Sequence, residues 1–156
     1  EGKCLGNSEY YELLKKNEIS EMFDHTSIVN AIDLKVSRED SVSGLCILKY
    51  EGTENQIKIK MEKGSDVYAP GKKIKVFVNS DDISFSESFL HNTTIQNQIQ
   101  GKITDIIEKG STLLCIVDAG FKLVVEITAQ SREKLGLLKG KSVWCLFKSA
   151  AIEYGE

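Results

Sequence analysis

An internal repeat constrains the fold of this chain more than any other feature of its sequence. Residues 26–30 (TSIVN) match 93–97 (TTIQN), 45–48 (LCIL) match 114–117 (LCIV), and 70–74 (PGKKI) match 139–143 (KGKSV). Ser80 and Ser149 complete the series in the same order. Four ordered matches predict two copies of one unit of about 60 residues.

Within each copy the apolar pattern is typical of short β-strands. In the first copy Ile57, Ile59 and Met61 alternate with lysines, which indicates a strand with one buried face. The second copy has an extended segment after Asn97, a hairpin around 118–120, a run at 143–147 and a closing segment at 151–154. Because a closed sheet hides its edges, we predict a mainly all-β fold of small tandem barrels.

One short helix interrupts the second copy. Thr128 is a suitable N-cap, Leu135 and Leu138 can turn inward, and two glycines, Gly136 and Gly140, loosen the end. The corresponding stretch of the first copy, 62–69, carries a glycine in its middle. A central glycine weakens a helix, so we predict that this second helix is shorter or absent.

Residues 1–23 lie outside both copies. Residues 2–6 (GKCLG) are typical of a strand end and a turn, and Asn7 or Ser8 can cap a helix that runs to about Lys16. One strand and one helix cannot form a core alone. We therefore predict that this segment is the tail of an upstream domain.

Charge and spacing argue against several classes of function. Residues 26–85 carry nine basic and nine acidic side chains and 86–156 carry eight of each, so neither copy has the basic excess typical of nucleic-acid binding. The four cysteines form no CxxC pair, and the two histidines stand apart, which predicts no metal site. No nucleophile–base constellation or Walker motif is present, so we expect no enzyme activity from these residues. No apolar run has the length of a membrane span and no leader opens the chain, which favours a cytosolic location.

Three motifs of the second copy carry a family resemblance. They are 94–103 (TIQNQIQGKI), 127–140 (ITAQSREKLGLLKG) and 147–149 (FKS). In this order and spacing they resemble the Mop domain, the molybdate-binding domain of TOBE type, over 93–154. The first copy, 26–86, resembles it more loosely. The resemblance implies tandem OB-like β-barrels.

The segment 1–13 (EGKCLGNSEYYEL) looks like the last strand and helix of an ABC-transporter ATPase domain. An ATPase tail followed by two Mop-like copies is the order found in the ATP-binding subunit of a molybdate or tungstate importer. The resemblance thus implies a regulatory region that senses intracellular oxyanion and inhibits transport. It also implies a homodimer, contact with membrane permease subunits through the ATPase domain, and a place at the cytoplasmic face of the membrane.

The resemblance also implies a set of oxyanion-binding residues. They are Thr94, Gln96, Asn97, Thr128, Ser131, Lys148 and Ser149, with a weaker set in the first copy at Ser27, Asn30 and Ser80. Hydroxyls and helix-start amides donate hydrogen bonds to an acceptor-only dianion, and the lysine supplies charge. The family's arginine is replaced by Gln96 and, in the first copy, by Val29.

Other functions fit the same motifs. An oxyanion storage protein of the molbindin type would consist of the copies alone, and residues 1–23 argue against it. The ligand domain of a molybdate-responsive transcription regulator would follow a winged-helix segment instead of an ATPase tail. The sequence does not choose between molybdate, tungstate and sulfate, because these ions share shape and charge.

Overall fold

The computed structural model describes residues 28–40, 42–60 and 69–155. These residues form ten β-strands, one α-helix and two single-turn 3-10 helices. In chain order they are β1 (Val29–Asp40), β2 (Leu45–Lys49), β3 (Gln56–Lys60), β4 (Lys73–Asn79), the 3-10 turn Ser80–Asp82, β5 (Ser84–Ser86), β6 (Asn97–Lys109), β7 (Thr112–Asp118), β8 (Lys122–Thr128), α1 (Ala129–Leu135), β9 (Ser142–Phe147), the 3-10 turn Ser149–Ala151 and β10 (Glu153–Gly155).

The two repeats build two antiparallel sheets of the same topology. The first sheet has the order β10-β4-β1-β2-β3 and the second has the order β5-β9-β6-β7-β8. Strands β1 to β4 of the first repeat therefore correspond to β6 to β9 of the second. The predicted mainly all-β fold of tandem related units is confirmed.

Each sheet takes its fifth strand from the other repeat. Strand β5 lies in the first copy by sequence but pairs with β9, with Phe85 opposite Cys145. Strand β10 follows the second copy but pairs with β4, with Tyr154 opposite Val76. The segment that closes the second copy in sequence thus belongs to the first sheet in space.

Both sheets contribute to one continuous core. Along β1, buried Ile32 and Leu34 alternate with exposed Asp33 and Lys35, the period expected of a strand with one wet face. The inner strand β7 has five consecutive buried residues. Buried side chains from both repeats belong to a single hydrophobic cluster, so the two repeats share one core.

Helix α1 begins where the sequence predicts. Thr128 is its N-cap, and Gly136 ends it in the left-handed conformation at φ 59°. The expectation that Leu138 turns inward is wrong, since that side chain is 59% exposed and Leu137 is buried at 2%. Because Gly136 is in the left-handed conformation, the chain leaves the helix at that residue. Leu137, and not Leu138, therefore points into the core.

Three sequence-based expectations lie outside the described residues. They are the upstream tail at 1–23, the site residue Ser27, and the shortened helix of the first copy, of which all but residue 69 falls outside. Within the described ranges, no helix is both long and apolar enough to cross a membrane.

Candidate functional site

Two asparagines join the repeats through reciprocal hydrogen bonds. Asn97, at the start of β6, accepts from the Lys58 backbone N–H at 2.7 Å and donates to the Lys58 carbonyl at 3.0 Å. Asn30, at the equivalent place on β1, accepts from the Val124 N–H at 2.8 Å and donates to its carbonyl at 2.9 Å. Both side chains are buried. We call this pair of contacts the asparagine clamp.

The asparagine clamp pairs with one residue on each of two sheet edges. Strands β3 and β8 are the last strands of their sheets, and each carries one of the clamped residues, Lys58 and Val124. An amide side chain that pairs with both backbone groups of one residue imitates a neighbouring strand at that point. The other two edges, β5 and β10, are only three residues long, and short edge strands resist unwanted pairing.

Ser80 and Ser149 occupy equivalent positions beside the asparagine clamp. Each opens a one-turn 3-10 helix within two residues of the end of the strand that pairs with the asparagine's own strand. The turn at Ser80 packs against β8, and the turn at Ser149 packs against β3. Within the described ranges, the Oγ atoms of both serines are buried and have no hydrogen-bond partner. A buried hydroxyl without a partner costs free energy unless something else accepts its proton.

Lys148 and Gln96 lie near Ser149 at one end of the second sheet. Asn97 is opposite Phe147 in the antiparallel β6–β9 register. Gln96, just before Asn97, and Lys148, just after Phe147, therefore lie next to each other beyond this end of the sheet. Both are exposed, as is Thr94. In the first repeat the position of Lys148 is taken by Asn79, which precedes its 3-10 turn in the same extended conformation.

Thr128 and Ser131 lie elsewhere. Thr128 pairs with Thr112, and Thr112 pairs with Lys109 at the far end of β6 from Asn97. The Thr128 hydroxyl accepts from the Ser131 N–H at 3.1 Å and donates to the Ser131 Oγ at 3.0 Å. One amide of the seven-residue helix is therefore already capped. The strand register does not bring these two hydroxyls together with Lys148 and Ser149 in one repeat.

The hairpin turns of the two repeats meet at a contact that sequence patterns do not indicate. Asn55 donates from Nδ2 to the Ala119 carbonyl at 2.6 Å. The rings of Tyr50 and Phe121 lie with their centroids 5.0 Å apart. Gly120 has φ +89°, and a Cβ atom there would collide with the side chain of Thr53. In the sequence only the turn glycine, Gly120, could have drawn attention to this contact. Its neighbour Thr53 belongs to the other repeat and is distant along the chain.

The thiols of the described residues are core groups. Cys46, Cys115 and Cys145 are free and buried, and burial raises the pKa of Cys46 to about 11 and of the other two to about 12. They are thus neutral at physiological pH and suit packing better than metal binding. In the part of the chain that the structure describes, no three His, Cys, Asp or Glu residues are grouped as metal ligands would be.

Comparison with known proteins agrees with this fold. Residues 93–153 match the family model described as the TOBE domain. The second repeat thus matches the TOBE family model along nearly its whole length. Over almost its whole length the chain is similar to the molybdenum import ATP-binding protein ModC of Pseudomonas aeruginosa, with 26% identity over 154 residues, 97% of this chain and 41% of that protein. The ModC protein of Rhizobium etli is 31% identical over 91 residues, 57% of this chain and 26% of that protein. The chain thus spans less than half the length of both.

A solved structure shares the fold of both repeats. It is the cytoplasmic molybdate-binding protein ModG in a form with molybdate bound, with a TM-score of 0.65 and 16% sequence identity. The match covers 81% of this chain and 94% of that one. At this identity the likeness concerns the fold alone, and it agrees with the predicted OB-like tandem architecture. The two sheets together therefore correspond to nearly all of the ModG chain.

Proposed function

We propose that this chain binds a tetrahedral oxyanion, molybdate or tungstate, at the Lys148–Ser149 end of its TOBE domain. The observation that carries the proposal is the buried Ser149 hydroxyl, which has no partner within the described ranges and follows an exposed lysine. The similarity to molybdenum import proteins and to a molybdate-binding protein supports the same ligand.

The donor chemistry suits such an ion. The oxygens of molybdate accept hydrogen bonds and donate none, so Ser149 would donate its free proton and Lys148 would supply a charge-assisted bond. Gln96 and Thr94 can add neutral donors from the preceding chain. The side chain of Asn97 has both ends occupied by Lys58, so its role would be to hold the strand end in place. The weaker site proposed at Asn30 and Ser80 in the first repeat has the same arrangement without the lysine.

Thr128 and Ser131 would contact the oxyanion only if a second copy of the chain brought its own Thr128 and Ser131 to the Lys148–Ser149 end. The register separates them from Lys148 within one repeat, so a complete set of donors would need a second copy of the chain. We therefore propose a homodimer with ligand shared between copies. The support for the homodimer is this incomplete set of donors.

Isothermal titration calorimetry with molybdate, tungstate and sulfate tests the proposal. Lys148→Ala should weaken binding by about 1.5–3 kcal/mol, the usual worth of a hydrogen bond to a charged group. Lys139→Ala, an exposed lysine in a turn of the same repeat, is the matched control and should leave affinity unchanged. An unchanged dissociation constant for Lys148→Ala would remove that residue from the site.

The number of ligands bound separates the two repeats. We expect one oxyanion or fewer per chain, since the first repeat has Asn79 in place of the lysine and sharing between copies lowers the number further. Two equal, independent sites per chain would contradict this. Light scattering with and without ligand gives the mass, and a value near 17.4 kDa in both states would contradict the homodimer.

For the longer protein to which such a domain belongs, the proposed role is feedback inhibition of an ABC importer. A cytoplasmic site beside the ATPase would sense the transported ion, and ligand would favour an arrangement in which paired ATPase domains cannot close. A full reversal of two populations needs about 5.5 kcal/mol of differential affinity. In vesicles holding the full-length subunit with its permease, uptake should fall as internal molybdate rises. An uptake rate that stays constant until internal molybdate is saturating would contradict the regulatory role. Oxyanion binding itself would still be tested separately, by calorimetry.

The likeness of the fold to the molybdate-binding protein ModG supports oxyanion storage as a second candidate. The matched fold covers 94% of the chain of the molybdate-binding protein ModG, and this supports a role that does not require an ATPase domain. Nucleic-acid binding and enzyme activity are not part of the proposal. Co-purification with permease subunits from membranes would favour the transporter role over storage.

A further inference from the structure

Three lysines form a row across the outer face of the first sheet. Lys35 on β1 is directly opposite Lys73 on β4 and Lys49 on β2. Neighbouring strands lie about 4.8 Å apart, and directly opposed like charges destabilise a sheet. We call Lys73, Lys35 and Lys49 the lysine row. Such an arrangement has a cost in the absence of a bound anion.

The second repeat shows the same row with its charges balanced. Lys102 corresponds to Lys35, and its neighbours are Ser142 on β9 and Asp118 on β7. One lysine there stands between a neutral and an acidic side chain. The row of three like charges is therefore not a requirement of the shared fold, and it distinguishes the first sheet from the second.

The lysine row lies in a concavity of about 570 Å³ that Lys75, Asp33 and Glu51 also line. This volume is within the usual range of small-molecule sites. Four lysines against two carboxylates leave two positive charges (4 − 2 = 2) at the concavity. The adjacent row is already paired, since Lys75 Nζ lies 3.6 Å from the Asp33 carboxylate. The excess positive charge is thus concentrated at the lysine row.

We infer that the lysine row binds a small polyphosphate, a ligand that carries two or more phosphate groups close together. An extended acidic peptide would need cations spaced along one strand. The lysine row instead runs across three strands, and the next row along the strands is the neutral Lys75–Asp33 ion pair. A monoanion would leave part of the charge excess uncompensated. A compact ligand with several negative charges matches both the direction and the number of the charges, and it would bind apart from the Lys148–Ser149 end of the second sheet.

Calorimetry with inorganic triphosphate as the probe tests this inference on the 156-residue chain. We expect binding that weakens as salt rises. Lys35→Gln should weaken it by about threefold to tenfold, between the effects typical of exposed and of charge-assisted pairs. Lys102→Gln removes the corresponding lysine of the second sheet and should leave the affinity unchanged. The unfolding midpoint of Lys35→Gln should not fall, because the change relieves repulsion on both sides.

Several results would overturn the inference. They are no heat of binding with millimolar triphosphate at low salt, equal losses for Lys35→Gln and Lys102→Gln, or tighter binding of hexaglutamate than of triphosphate. Lys148→Ala separates this site from the proposed oxyanion site. If it abolishes triphosphate binding, the phosphate occupies the oxyanion site and the lysine row binds nothing; if binding persists, the inference stands whatever molybdate does.

Discussion

The first and second repeats place an asparagine and a serine at the same points of one sheet topology, and each asparagine clamps an edge strand of the other repeat. They differ in charge. The residue before the serine is Asn79 in the first repeat and Lys148 in the second, while the first sheet alone carries the lysine row. The shared asparagines join the two repeats, and we propose that the residues that differ between the repeats determine which ligands they bind.

Breaking the asparagine clamp should have the largest effect on stability. Asn97→Ala leaves the N–H and carbonyl of Lys58 without their partner, and Asn30→Ala does the same to Val124. We expect each to lower the free energy of unfolding by about 2–4 kcal/mol, since each buried backbone group without a partner costs about 1–3 kcal/mol. Urea denaturation measures both. Gln98→Ala, which removes hydrogen bonds to the exposed residue Leu90, is the control and should cost less than about 1 kcal/mol.

Two equivalent turns sharpen the comparison at an intermediate level. Gly120→Ala should lower the free energy of unfolding by about 1–3 kcal/mol, because alanine is strained at φ +89° and its methyl group meets Thr53. Thr53 cannot easily move, since its hydroxyl is bonded to Tyr50 and Asn55. Gly52 has φ +87° with open space around it, so Gly52→Ala should show the strain of about 1 kcal/mol alone. Equal losses in thermal denaturation would mean that the turns do not meet in solution.

The smallest expected effect has the most informative sign. Ser149→Ala and Ser80→Ala each remove a buried hydroxyl without a partner in the described residues, so each should raise the stability of the ligand-free chain by about 0.5–1.5 kcal/mol. Only Ser149→Ala should also weaken molybdate binding in calorimetry. A loss of stability in both variants would show that these hydroxyls have partners, and the case for a ligand at Ser149 would fail.

Much of the fold could be predicted because its signals are local. Alternation with lysines located β3, the extended segment after Asn97 located β6, and the apolar run at 143–147 located β9. The glycine-bearing turn located the second hairpin, and Thr128 marked the start of α1. The repeat itself predicted two units of one topology. The sequence pattern predicted Leu138 in the core, whereas the adjacent Leu137 is buried there. The left-handed conformation of Gly136 sets the direction of the chain after the helix and causes this difference.

What could not be predicted depends on contacts between the repeats. Nothing in the three residues of β10 specifies β4 as partner, since strand pairing is chosen by the packed structure. Asn97 was grouped with the oxyanion residues on its motif, whereas its side chain reaches Lys58 in the other repeat. The motif also joined Thr128 to Lys148, although the strand register separates them. Family motifs locate residues along the chain but do not say which of them meet within one copy.

The exchange of β5 and β10 affects how the protein is made. The first sheet cannot gain its fifth strand until Glu153–Gly155 has left the ribosome, although β1 to β4 emerge long before. During synthesis the unpaired side of β4 must wait for a partner that follows the second repeat. Contacts between distant segments slow folding. The second repeat therefore completes the first, and the two are expected to reach their native state in a single late step.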